Sequence, residues 1–176
     1  HETPQLISEI HSIQVNPVWN IPESIAKKEI INLVKEDPYY LVNNNIDVYY
    51  KGEELDSDSL DWSGVTKENL QYTFKQAPGD DNALGKIKFL FKNGSNVYLH
   101  DTPAQAAFQK EMRAVSHGCV RVEKPLELAK ALFGYGNTYN SIEEEMQDPN
   151  PVARYISLPP IVLDYVTCWV DASGRL

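Results

Sequence analysis

Residues 86–100 constrain the fold more than any other stretch. In KIKFLFK, Ile87, Phe89 and Phe91 alternate with Lys86, Lys88 and Lys92. NGS follows as a turn, and NVYLH then alternates Val97 and Leu99 against Tyr98 and His100. A period of two is the pattern of a half-buried strand, and a short polar turn between two such runs makes a hairpin. The same period puts Tyr98 and His100 on one side of their strand, away from the Val/Leu face. A chain with this hairpin near its middle must build a β core.

Other segments agree. LISEIHSIQV reads as an opening strand, YTFKQAP leads as a strand into the turn-rich PGDDNALG, and ARYISLPPIVLDYVTCWV supplies terminal strands. NPVWNIP breaks the opening strand with two prolines. ESIAKKEIINLVKEDP places Ile25, Ile30, Leu33 and Val34 largely on one helical face and ends at Pro38. KPLELAKALF is a second helix with Pro125 in its first turn, and PAQAAFQKEM and SIEEEMQD are shorter candidates. The predicted class is mostly β with peripheral helices, an α+β arrangement. Residues 39–70 are polar, turn-rich and acidic, with room only for short elements, as in an insertion packed over a scaffold.

At 176 residues the chain is long enough for one domain with a sizeable core. A net charge of −9 argues against nucleic acid or an anionic membrane surface as partner. No apolar run approaches the roughly 20 residues that span a bilayer. The chain starts at His1 without a methionine or signal-like segment, which reads as a processed or trimmed chain. Cys168 lies in YVTCWV, where a small buried hydrophobe is expected, although a disulfide to Cys119 is chemically open.

Cys119 has a different setting, VSHGCVRV. A cysteine attacks as its thiolate, and an imidazole within reach takes the proton. His100 and His117 are the candidates, and His100 ends a strand on its unpacked face. The imidazole needs a partner that fixes its tautomer, and Asp101 offers a carboxylate or its backbone carbonyl. Gly118 allows a sharp turn, so that amides of His117, Gly118 and Cys119 form an oxyanion hole. Zinc held by His100, His117, Cys119 and Cys168 is the competing chemistry, but the usual Cys-x₂₋₄-Cys spacing is absent.

YLHDTP followed by VSHGCVRV resembles the active-site signature of the L,D-transpeptidase family, the YkuD-type catalytic domain. Fifteen residues separate His100 from Ser116, and Ser116, His117, Gly118, Cys119, Val120 and Arg121 complete the signature. WNIPESIAKKEI, DWSGVT and QAPGDDNALGKIKF are similar to segments of the large Gram-negative subgroup with a capping subdomain. The resemblance implies a β-sandwich-like catalytic core over residues 1–176, with residues 20–76 as a helical or irregular capping insertion. It implies Cys119 as acylated nucleophile, His100 as general base, and the backbone carbonyl of Asp101 as the group orienting His100.

Tyr98 and Ser116 would line the substrate channel. Arg121, where many members have asparagine, would contact a stem-peptide carboxylate or serve the fold. Trp19 and Trp62 would pack at the hinge of the insertion, over the cleft, or in its core. The implied activity is peptidoglycan cross-linking. A donor tetrapeptide is cut between its third residue and D-alanine, and the acyl group passes to an amine acceptor in a 3→3 link. Carboxypeptidase, D-amino-acid exchange and protein-attachment outcomes share the same acyl-enzyme, and the alternative from another class is a catalytically silent wall-binding module, which would be expected to lack Cys119 or His100. The resemblance further implies no metal or organic cofactor, acylation by carbapenems, and a place in the periplasm or cell envelope.

Overall fold

The computed structural model describes residues 3–113, 118–133, 137–155 and 160–164. Along the chain run strands β1 (Leu6–Val15) and β2 (Trp19–Ile21), then a helical run of α1 (Glu23–Ile25), a π-helical turn (Ala26–Ile30) and α2 (Ile31–Glu36). Helix α3 (Tyr40–Asn43) and strands β3 (Ile46–Tyr50), β4 (Glu53–Leu55), β5 (Tyr72–Gln76), β6 (Ile87–Phe91) and β7 (Leu99–His100) follow. The last described elements are β8 (Val120–Arg121), α4 (Pro125–Phe133), α5 (Asn137–Glu145), β9 (Val152–Tyr155) and β10 (Pro160–Leu163).

The strands form two sheets, as expected for a mostly β, α+β chain. The first has the order β10-β1-β6-β7-β8, with β9 also paired to β1. Strand β1 organises it. Its first half pairs with β10, and its second half lies between β6 and β9, with an irregularity between Ile10 and Ser12 that changes the register. The alternation in β6 has the predicted consequence: Ile87, Phe89 and Phe91 are buried with Ile13, Val15, Val97 and Leu99. Ala129 of α4 and Ile142 of α5 complete that core, so both helices cover this face. The opposite face of β6, β7 and β8 carries Lys88, Tyr98, His100, Cys119 and Arg121 and forms one wall of a cavity.

Residues 19–76 build a second sheet, order β2-β5-β3-β4, antiparallel throughout. It has its own core, in which Ile21, Ile25, Ile30, Leu41, Val48 and Phe74 meet. Sequence patterning anticipated short elements here but not their pairing into one sheet. The reason is length: β3 alternates buried Ile46 and Val48 with exposed Asp47 over only five residues, too few to stand out. The prolines around WNI act as expected on β1, which ends at Val15, yet Trp19–Ile21 still pairs with Phe74–Gln76. Trp62 is buried in this core, edge-on to Tyr72, with its indole N–H donating to the Ser57 carbonyl at 3.3 Å.

The chain passes between the sheets at residues 16–18 and 77–86, and Asn82 ties both crossings. Its amide donates to the carbonyls of Pro17 at 3.1 Å, Gln76 at 3.3 Å and Ala77 at 2.9 Å, and its oxygen accepts from Leu84 N–H at 2.8 Å. Asn82 is 1% exposed, so these groups have no water to fall back on. Replacing Asn82 with Ala should therefore destabilise the fold by about 2–4 kcal/mol, read by denaturant unfolding. A loss under about 0.5 kcal/mol would show that the knot is dispensable.

Candidate active site

Strand pairing assembles the site. Strands β7 and β8 are parallel, with Leu99 opposite Val120 and His100 opposite Arg121. Val120 N–H donates to the Tyr98 carbonyl at 3.1 Å and Val122 N–H to the His100 carbonyl at 2.8 Å. Across β6 and β7, Lys88 is opposite His100. Directly opposed residues share a face, so Lys88, His100 and Arg121 form one row. Leu99, Val120 and Val122 take the other face and pack on the core. One step back along the register, Tyr98 stands opposite Cys119, and the sulfur helps to raise the Tyr98 phenol.

His100 is 6% exposed. Its Nδ1–H donates to the carbonyl of Asp101 at 2.5 Å, which fixes the tautomer and leaves Nε2 as the basic nitrogen. The Asp101 carboxylate is engaged elsewhere: Oδ2 accepts from Lys86 N–H at 2.9 Å and Oδ1 from Thr102 N–H at 2.7 Å. Burial pushes His100 down from 6.5 to about 4. The Asp101 carbonyl opposes that shift, and the Arg121 and Lys88 charges add to it. At neutral pH the ring is uncharged and able to accept a proton.

The surrounding groups form a small electrostatic unit. Lys88 Nζ lies 4.0 Å from the centre of the Tyr98 ring, and that ring stands edge-on to His100 at 5.7 Å. Burial lowers Lys88, and the Cys119 sulfur acts in the opposite direction. Burial followed by Cys119 raises the Tyr98 phenol, and Trp19 acts in the opposite direction. Arg121 Nε is buried and has no hydrogen-bond partner among the described residues. These groups open into a cavity of about 990 Å³. Cys119 carries a free thiol there.

Two glycines hold backbone geometry that a side chain would disturb. Gly118 has φ +119°, beside Cys119. Gly85 has φ +60°, and a Cβ there would lie 2.4 Å from the Asp101 carboxylate. Gly85 therefore lets that carboxylate reach Lys86 N–H, which in turn positions the carbonyl under His100.

The structure thus brings together Cys119, His100, Asp101, Gly118, Tyr98 and Arg121. Ser116, His117 and Cys168 lie outside the described residues. Trp19 lines the cavity, whereas Trp62 is in the second core. Lys88 was visible in the sequence only as the polar side of a strand. Its row with His100 depends on β6–β7 register, which alternation alone does not specify.

A free thiol and a tautomer-fixed, neutral imidazole on adjacent strands, facing one cavity, define the class of thiol–imidazole sites suited to acyl transfer. The L,D-transpeptidase catalytic domain (YkuD) matches residues 1–133, and the chain belongs to that family. It is also 34% identical over 174 residues to a Haemophilus influenzae protein named "Putative L,D-transpeptidase". The match covers 96% of this chain and 35% of that relative, so the chain spans about a third of the relative's length.

Between about pH 4 and 6.5 the unfolded chain protonates an imidazole that the folded chain keeps neutral. The resulting stability is present above pH 6.5 and lost as pH falls toward 4, on the order of 3 kcal/mol. His100→Gln should flatten that part of the curve, measured by urea unfolding of both proteins across the range. Gly85→Ala should cost about 2 kcal/mol or more, combining positive φ with displacement of Asp101. Parallel pH curves for His100→Gln and wild type, or a neutral Gly85→Ala, would contradict these two assignments respectively.

Proposed function

We propose that the chain catalyses peptidoglycan L,D-transpeptidation with Cys119 as nucleophile and His100 as general base. The observation that carries this reading is the pair itself. His100, anchored through Nδ1 to the Asp101 carbonyl, lines the same cavity as the Cys119 thiol. In the first step His100 Nε2 takes the thiol proton, and sulfur attacks the carbonyl between the third stem residue and D-alanine. The oxyanion is held by backbone N–H groups around His117, Gly118 and Cys119. On collapse the C–N bond breaks, and His100 returns the proton to the departing D-alanine amine.

In the second step an amine of another stem, the side-chain amine of its third residue, attacks the thioester. The new C–N bond forms, the C–S bond breaks, and the amine proton passes to His100. The product is a 3→3 cross-link. Arg121, with its buried Nε, suits a stem carboxylate. Tyr98 and Ser116 complete the channel. Residues 20–76 act as a cap that limits water at the thioester, supported by Asn20, Pro22, Ser24, Ile25 and Glu29, which line the same cavity. The substrate places the enzyme in the periplasm or cell envelope, and the route needs no cofactor. Carbapenems, as acylating mimics of the donor, would occupy Cys119.

Incubation with a carbapenem should add one drug mass to the intact protein, and Cys119→Ala should abolish the adduct. Modification of that variant would remove Cys119 from the role. His100→Ala should lower the acylation rate at least about 100-fold, while His117→Ala retains a good part of it, and the opposite ranking would reassign the base. The acid limb of wild-type acylation should lie near pH 4, well under the ordinary imidazole value of 6.5. With tetrapeptide muropeptides, mass spectrometry should find dimers. Tripeptide alone would point to hydrolysis instead.

A further inference from the structure

The cavity around Cys119 and His100 has a second wall of a different character. It comes from residues of the second sheet's helical run, and Glu29 opens onto it, half-buried. Among the described residues lining the cavity, Glu29 is the one carboxylate, and Lys88 and Arg121 are the cations. The two sides are therefore opposite in sign, with the cations on the side of the thiol.

The backbone under Glu29 is also unusual. The π-helical turn Ala26–Ile30 interrupts the run between α1 and α2. Ala26 and Ile30 stay buried in the second core while Glu29 faces the cavity. A π turn inserts one extra residue per turn and concentrates at functional positions. Ser24 and Asn20, on the same wall, add uncharged polar groups.

We propose that Glu29 selects the acceptor, recognising the ammonium group of the amine that resolves the acyl-enzyme. The inference rests on the cross-linking reading above and names the substrate class of its second step, a peptide-borne primary amine that is cationic at neutral pH. An ammonium cannot attack a carbonyl, because its lone pair is held by the proton. Glu29 gathers the cation at the wall, where opposite charge favours it. Lys88 and Arg121 disfavour the same cation beside the thioester, so the ammonium gives its first proton to solvent on leaving Glu29 and reaches the sulfur as the neutral amine. It then attacks, the C–N bond forms, the C–S bond breaks, Cys119 leaves as thiolate, and the second amine proton passes to His100. Water gains nothing from Glu29, so the wall biases resolution toward the amine.

The test uses a tetrapeptide muropeptide as donor and a tripeptide muropeptide as acceptor, with dimer and hydrolysed product quantified by mass spectrometry. Glu29→Gln should raise the acceptor KM about tenfold, with kcat changed less, and shift the ratio of hydrolysis to dimer by a similar factor. Glu29→Asp should recover part of both effects, which a merely structural role would not produce. It also serves if the Gln variant melts early. Dimer formation by Glu29→Gln at wild-type acceptor KM would overturn the Glu29 assignment alone. A wild type that is acylated yet forms no dimer would overturn the cross-linking reading and this inference with it.

Discussion

Two backbone hydrogen bonds, Val120 N–H to the Tyr98 carbonyl and Val122 N–H to the His100 carbonyl, hold the site in register. They join segments about twenty residues apart in sequence through a parallel pairing of only two residues per strand. Parallel pairing needs a crossover between its strands, and here residues 101–119 supply it. A slip by one residue would turn Cys119 and Arg121 toward the core and Val120 toward the cavity. The core prevents that slip, since Leu99, Val120 and Val122 can be buried only in the observed register.

Burial then decides the chemistry of the imidazole. A neutral histidine loses little on desolvation, whereas its cation loses much, and two neighbouring cations increase the difference. The Asp101 carbonyl fixes ring orientation without contributing a full negative charge that would favour the imidazolium. Had the Asp101 carboxylate faced the ring, it would have raised the affinity for a proton. Instead, it caps Lys86 and Thr102 N–H groups, and Gly85 leaves the space that this needs.

Much of the first sheet was legible in the sequence, because a face packed against a core enforces a visible alternation. Ile87, Phe89 and Phe91 are the clearest case, and Tyr98 with His100 follows from the same period. The positions of Cys119 and His100 were legible through the spacing of a short signature. Less could be read where position depends on register between distant strands. Lys88 is one such residue, and Glu29 is another, carried to the cavity by a π turn that leaves no compositional trace. The second sheet was hidden for a different reason: three- to five-residue strands give too few alternations to separate from turn-rich sequence.

The charge distribution follows from these same constraints. Acidic residues outnumber basic ones 25 to 16, and most are free to sit where water screens them. Lys88 and Arg121 lie on the inner face of β6 and β8, half-buried, where screening is weaker and their fields reach His100. A net negative chain with a cationic cavity floor disfavours anionic polymers generally while leaving a local positive field at one cavity. That floor belongs to one sheet, and the carboxylate opposite it belongs to the helical run of the other. Their spacing is therefore set by the crossings at residues 16–18 and 77–86, where the Asn82 side chain fixes the path of both.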